Sequence, residues 1–372
     1  RRQNHSRMNI RLQQLNPTVG DISKNTGKIL KALRQAESDG IDLLILPEMV
    51  VTAYPPMDLL ERKAFLESVF KAKQHIIEQT GETAIIFGAP TRNTSKRGRE
   101  IFNSAVFAYR GTRKAVIHKT LLPTYDVFDE FRYFEPNTNF QPVEFKGVKF
   151  GITVCEDIWY NENETQYHTY KVHPAEELRS NGADAIINIS ASPFTKSKME
   201  SRLRMLKYNA ERLQMPIFYA NQAGANTEII FGGDSMALDA NGNIIARADL
   251  FTEDFTDINF QSDIMTAISE EKNRETPPRE ERIFSAVVMG LRDYLQKTQL
   301  SDKVILGLSG GIDSALSAVI AVEALGADSV IGITMPSQYS SEGSVTDSEK
   351  LAENLGMKLW EIPIKDIYDT YL

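Results

Sequence analysis

Between position 8 and about 265, short runs of Ile, Val, Leu and Phe, such as LLIL (43–46) and AIINIS (185–190), alternate with longer amphipathic stretches. In the amphipathic stretches apolar residues, Ile29, Leu30 and Leu33 among them, recur at helical spacing. Near-continuous apolar runs read as strands and amphipathic stretches as helices layered on them, so this region is expected to form one mixed α/β domain. Strands are expected near 8–15, 42–47, 83–88, 101–109, 114–118, 148–154, 184–190, 216–220, 229–238 and 243–248. Helices are expected near 23–38, 59–79, 173–181 and 198–213.

The pattern then stops. SEEKNRETPPREER (269–282) is mostly charged, holds no large apolar side chain and contains Pro277-Pro278, so it reads as a linker. After it a helical stretch runs through Leu295, and VILGL (304–308), a glycine turn and DSALSAVIAVEAL (313–325) read as strand, loop and helix. SVIGITM (329–335) completes a βαβ unit, which requires a parallel sheet. A further strand is expected near 358–362. The division is therefore a first domain over 8–267, a linker over 268–282 and a second domain over 283–372. Three strands fall short of the five or so that a sheet wound on both faces uses, so the second domain reads as the opening part of a longer one.

Composition narrows the class. Lys and Arg number 42 against 50 Asp and Glu, a net charge of −8 that argues against a nucleic-acid partner. Cys155 is the only cysteine, which excludes an intrachain disulfide and fits a reducing cytoplasm. No run of about 18 apolar residues occurs, so no membrane span is expected. Residues 1–7 precede the first methionine, Met8, and are expected to be a tag remnant or a processed extension.

Two places carry chemistry. Ser309, Gly310, Gly311, Ile312, Asp313 and Ser314 join an apolar strand to a helix, and two adjacent glycines there let backbone N–H groups approach an anion. The loop lacks the Gly-Lys-Ser/Thr ending of a Walker A motif and the G-x-G-x-x-G spacing. By itself it is equally an ordinary strand-to-helix turn. In the first domain Glu48, Lys119 and Cys155 each close an apolar strand (LLILP, AVIH and FGITV), the edge of an α/β sheet where sites form. Carboxylate, ammonium and thiol are the parts a cysteine nucleophile needs, although each is also a common packing or surface residue. Met205 and Phe218 are expected in the core.

The strings around these residues resemble known families. GLSGGIDSA (307–315) is similar to the pyrophosphate loop of the ATP pyrophosphatases, and the segments 284–297 and 335–356 look like the synthetase domain of the NAD synthetases. The resemblance implies a doubly wound, Rossmann-like parallel sheet, truncated here, in which Gly307, Leu308, Ser309, Gly310, Gly311, Ile312, Asp313 and Ser314 bind ATP. Asp313 would help place the accompanying Mg²⁺. LPEM (46–49), HKTLLPTYDVFDEFRYF (118–134) and VCEDIW (154–159) resemble, in that order, the three motifs of the nitrilase-amidase superfamily, which implies an αββα sandwich. Carried over, Glu48 is the general base, Cys155 the nucleophile, Lys119 the oxyanion-stabilising cation and Glu130 the second glutamate. Tyr125, Ser192 and Lys198 match positions that bind glutamine, the last two with an open register inside SASPFTKSK (190–198).

Together the two motif sets resemble the glutamine-dependent NAD synthetases. That resemblance implies glutamine, ATP with Mg²⁺ and deamido-NAD as substrates, no prosthetic group, no nucleic-acid or membrane partner and a cytoplasmic homo-oligomer. Two alternatives stay open at this level. One is a carbon-nitrogen hydrolase fused to a domain that activates a different carboxylic acid, and the other is an ATP-binding regulatory module.

Overall fold

The computed structural model describes residues 7–95, 97–159, 170–261, 264–268 and 276–371. They form two compact units that divide between Thr276 and Pro277. Part of the expected linker, 269–275, lies outside the described residues.

The first unit is built on two sheets. One runs in the order β15-β14-β1-β2-β3-β4-β5, from β1 (Met8–Gln14), β2 (Leu43–Ile45), β3 (Ala84–Arg92), β4 (Ile101–Tyr109), β5 (Thr112–His118), β14 (Asp254–Gln261) and β15 (Ile264–Ala267). The other runs β13-β12-β9-β8-β7-β6, from β6 (Val143–Phe145), β7 (Val148–Val154), β8 (Ala185–Ser190), β9 (Ile217–Asn221), β12 (Met236–Leu238) and β13 (Ile244–Arg247). A hairpin of β10 (Ala223–Asn226) and β11 (Ile229–Gly232) stands apart. At the centre of each sheet the strands are parallel, β1-β2-β3 and β7-β8-β9, and the outer pairs are antiparallel.

Burial on both faces explains the near-continuous apolar runs. Leu43 and Ile45 join Phe150, Ile152, Ile187, Phe218 and Phe260 in a core between the sheets. Alternate residues Leu44, Ile85 and Phe87 pack under α1 (Ile22–Ser38) and α2 (Lys63–Glu78). Ile186, Ile217 and Tyr219 pack under α4 (Pro174–Ser180) and α5 (Lys198–Leu213). Helix, sheet, sheet, helix is the αββα sandwich the motifs imply. Met205 and Phe218 are both core residues. Phe218 meets Phe260 edge-on at 5.5 Å, a geometry worth about 1 kcal/mol beyond the area it buries.

Several boundaries differ from the sequence reading. The strand expected over 229–238 breaks into β11 and β12, because Gly233 and Asp234 both take left-handed backbone, at φ +67° and +64°. The helix expected from 59 starts at Lys63: Met57–Glu61 is a 3-10 turn and Arg62 is extended. β6, β10, β14 and β15 fall where no strand was expected.

The second unit opens with α6 (Arg279–Thr298), so 279–282, read as linker, is helical. Pro278 stands at the N-cap position without a side-chain capping bond, and Glu280 and Glu281 sit in the first turn, where carboxylates complement the helix dipole. β16 (Val304–Gly307), β17 (Val330–Thr334) and β18 (Lys358–Glu361) form the expected parallel sheet in chain order. Between them lie α7 (Ile312–Leu325) and α8 (Glu342–Leu355), and α9 (Lys365–Tyr371) follows. Leu291, Ala318, Ala321, Leu351 and Ala352 of α6, α7 and α8 share one core with Val304, Leu306, Val330 and Leu359. The alternate strand residues Ile305 and Trp360 are 62% and 41% exposed, so in the described residues the helices cover one face of this sheet.

Candidate active site

Glu48 follows β2 on a loop that crosses β3 at Gly88. A Cβ there would lie 2.1 Å from the Met49 nitrogen and 2.6 Å from the Glu48 Cα, so only glycine lets the loop pass. The carboxylate is fully buried, and both its oxygens are engaged. Oε1 accepts from Asn103 Nδ2 (2.6 Å) and Lys119 Nζ (2.9 Å), and Oε2 accepts from the Ala191 N–H (2.9 Å).

Lys119, the residue after β5, is equally buried and donates a second bond to Glu130 Oε1 at 2.7 Å. Burial alone would lower its pKa, but Glu130 and Glu48 outweigh burial and raise it well above the ordinary lysine value, so the ammonium keeps its proton. Glu130 opens the short helix α3 (Glu130–Tyr133) and also accepts from the Tyr54 hydroxyl (2.8 Å). Its Oε2 is buried with no hydrogen-bond partner among the described residues. Burial pushes the Glu130 carboxyl up to about 7, with Lys119 pulling against it and Glu48 adding to it.

Cys155 follows β7 as the first residue of a 3-10 turn (Cys155–Ile158) and holds φ at +46°, a left-handed conformation that a side-chain-bearing residue adopts only when its surroundings impose it. The thiol is 5% exposed. Burial and the Glu48 charge raise its pKa well above the ordinary range, against Lys119, so at rest it is protonated and needs a base to become a nucleophile. The elbow is fastened by its neighbours. Asn188 Nδ2 donates to the Cys155 carbonyl (3.3 Å), and Asp157 accepts from the Val154 N–H (3.1 Å) and from the N–H groups of Thr120 (2.9 Å) and Leu121 (2.8 Å).

The other expected residues gather on the same spot. Tyr125 donates to Glu156 Oε1 at 2.9 Å, as does Tyr170. Ser192 follows the residue that bonds Glu48, and its Oγ is buried with no partner among the described residues. Lys198 begins α5 with its ammonium 5.5 Å from the Phe128 ring and 5.3 Å from that of Trp159. Burial lowers its pKa, while Cys155 and Glu156 act in the opposite direction. Gly88, Tyr54, Asn103, Glu156, Asp157, Tyr170 and Asn188 were not singled out from sequence, although the two acids directly after Cys155 in VCEDIW were a visible signal.

In the second unit the glycine loop joins β16 to α7. Gly310 has φ +74°, and a Cβ on it would lie 2.6 Å from the backbone of Ser344 in α8. Ser314 Oγ donates to the Gly311 carbonyl (3.0 Å) and accepts from the Ser309 N–H (3.3 Å), which shapes the turn. Among the described residues no side chain caps the start of α7. Gly310, Gly311 and Ser314 line a cleft of about 390 Å³ together with Asp347, Lys350 and Asn354. Leu308, a core residue whose N–H bonds the Ile333 carbonyl (2.8 Å), also lines the cleft, as does Ile312, whereas Gly307, Ser309 and the exposed Asp313 are not on its lining.

Comparison with known proteins gives two family matches, carbon-nitrogen hydrolase over residues 9–268 and NAD synthase over 283–372. The chain is 42% identical over 368 residues to the glutamine-dependent NAD(+) synthetase of a Synechocystis species, covering 97% of this chain and 65% of that protein. It is 35% identical to the Thermotoga maritima protein of the same name, covering 98% and 67%. Among solved structures, the Acinetobacter baumannii glutamine-dependent NAD+ synthetase in complex with ADP superposes with a TM-score of 0.90 at 32% identity, over 98% of this chain and 66% of that one. An amidase from Nesterenkonia sp. AN1 shares the fold over 70% of this chain and 92% of its own, with a TM-score of 0.58 at 20% identity. The chain thus spans about two thirds of the length of the synthetases it matches. With a carbon-nitrogen hydrolase domain followed by an NAD synthase domain, it belongs to the family of the glutamine-dependent NAD(+) synthetases.

Proposed function

We propose that the first domain hydrolyses glutamine to glutamate and ammonia, and that the whole protein uses the ammonia to convert deamido-NAD into NAD. The observation that carries this reading is the fully buried Lys119 ammonium bonded to both Glu48 and Glu130, next to the elbow that strains Cys155. In the first step the Cys155 sulfur attacks the side-chain amide carbon of glutamine while Glu48 takes the thiol proton. The oxyanion is held by Lys119 and by the N–H that follows the nucleophile, each donor of this kind being worth about 3 kcal/mol at the transition state. Glu48 then returns the proton to the departing nitrogen as ammonia leaves, and water, deprotonated by Glu48, cleaves the thioester to glutamate. Glu130 fixes Lys119. Tyr125, Ser192 and Lys198 bind glutamine, the unpartnered Ser192 Oγ being a group that substrate would satisfy.

In the second domain the deamido-NAD carboxylate attacks the α-phosphorus of ATP, pyrophosphate leaves, and ammonia displaces AMP from the acyl adenylate. Gly307 to Ser314 cradle the phosphates, and Asp313 helps place a Mg²⁺ that arrives with ATP. An ion held chiefly by phosphates asks for one or two protein carboxylates, and Asp313 is an exposed carboxylate on this loop. No helix of the described residues is long and apolar enough to cross a membrane. We place the enzyme in the cytoplasm, as a homo-oligomer.

The test is product identification by mass spectrometry with full-length protein, glutamine, ATP and deamido-NAD. Cys155→Ala should abolish glutamine-driven NAD formation and leave ammonia-driven formation intact, and Asp313→Ala should lower both. Unchanged glutamine turnover in Cys155→Ala would remove the nucleophile assignment.

A further inference from the structure

Lys119 and Cys155 come from different sheets, since one follows β5 and the other follows β7. The Asp157 carboxylate joins them. It is 3% exposed, and its two oxygens receive three backbone N–H groups from two separate segments. Oδ1 takes Thr120 (2.9 Å) and Leu121 (2.8 Å), the residues directly after Lys119, and Oδ2 takes Val154 (3.1 Å), the residue directly before Cys155.

We propose that Asp157 is a positioning residue that fixes the Cys155 elbow and the Lys119 loop as one unit, and so sets the separation of thiol and ammonium in the glutaminase reaction. This inference rests on the glutaminase reading above. The bond from Val154 to Asp157 closes the turn around Cys155, which supplies one of the constraints its left-handed backbone requires. The two bonds to the 120–121 segment then carry that geometry to the other sheet. Only a carboxylate of this length satisfies all three donors. An asparagine has one acceptor oxygen, so it must turn its amide N–H toward either Val154 or the Thr120-Leu121 pair and leave that side unbonded.

The experiment is Asp157→Asn in the full-length protein, read as steady-state glutamine hydrolysis and as amide hydrogen exchange. Misplacing reacting groups by about 1 Å costs about 100-fold, so kcat should fall by roughly that factor while the KM for glutamine stays within about threefold. A loss of folded protein alone would instead lower the calorimetric unfolding enthalpy per mole of chain in proportion to activity. The amides of Val154, Thr120 and Leu121 should be protected in the wild type, and in the variant the side that the new amide N–H faces, Val154 or the Thr120-Leu121 pair, should lose protection. A variant kcat within about threefold of an active wild type would overturn the proposal, as would unprotected Thr120 and Leu121 amides in the wild type. The wild-type exchange decides the matter if the variant does not fold. A wild type that fails to hydrolyse glutamine overturns the glutaminase reading instead, and the exchange pattern still decides whether the two segments are tied.

Discussion

Lys119 is the residue on which the first site turns, because its ammonium is bonded to two buried carboxylates. Lys119→Met keeps the volume and leaves Glu48 and Glu130 uncompensated, and breaking a buried pair in this way costs about 3–5 kcal/mol. The melting temperature should fall by roughly 6–15 °C and glutamine hydrolysis by at least about 100-fold. Adding Glu130→Gln to Lys119→Met removes one of the stranded charges. Calorimetry should then show much of the stability restored with no recovery of activity, whereas restored turnover would mean that the ammonium serves structure alone. The sequence exposes Glu48, Lys119 and Cys155 because each breaks an apolar run at a strand end. Tyr54 and Asn103 carry no such signal. Their place in the site comes from contacts across strands and loops, 76 residues away to Glu130 and 55 residues away to Glu48.

At the scale of elements, the crossing of the Glu48 loop over β3 depends on a missing side chain. In Gly88→Ala the new methyl meets backbone, which has no flexible end to swing aside. Glutamine hydrolysis should drop by at least about 10-fold while the chain keeps a cooperative thermal unfolding transition, and wild-type turnover would show that the loop shifts freely. β5 offers a pH test. Its last residue, His118, stacks on Phe102 at 3.8 Å, meets Ser104 Oγ at 2.7 Å, and is held down to about 4 by burial. The unfolded chain binds this proton near 6.5 and the folded one only near 4, so the stabilisation from keeping the ring neutral is full above 6.5 and is lost as pH falls toward 4. Glu130 and Asp157, both raised toward 7, tilt stability the opposite way over the same range. The comparison is therefore wild type against His118→Gln, whose melting temperature should fall less between pH 6.5 and 4; identical slopes would refute the assignment. Legibility in the sequence followed apolar content. β2 and β8 are buried along their whole length, and β7 at every position but Lys149, so they announce themselves, but β14, DFTDINFQ, is half-exposed and polar at alternate positions, so it reads as loop until β1 pairs with it. The break between β11 and β12 was hidden because Asp234 is held in place by Arg202 and Arg247, which come from elsewhere in the chain.

For the molecule as a whole, the two units differ in how much core supports them. The first has a core between its sheets, a further core under the helices on each side, and aromatic side chains such as Phe87, Phe107, Phe150 and Phe218 at 2% exposure or less. The second has one cluster of Leu308, Ala318, Ala321, Val330, Ala352 and Met357, without a buried aromatic among the described residues. Local opening free energy follows buried apolar contact, and parallel strands are stable when both faces are covered. In β16, β17 and β18 the covered face alternates with exposed Ile305 and Trp360, and β18 has no fully buried residue. Native-state hydrogen exchange on this chain should therefore show the amides of β16–β18 exchanging at least about 10-fold faster than those of β1, β7 and β8, which lie inside the sandwich. Denaturant should release the second unit first, while glutamine hydrolysis persists. Equal protection in both sheets, or loss of glutaminase activity in step with β16–β18, would show that the units do not unfold independently and that the weaker core is supported by contacts other than its own.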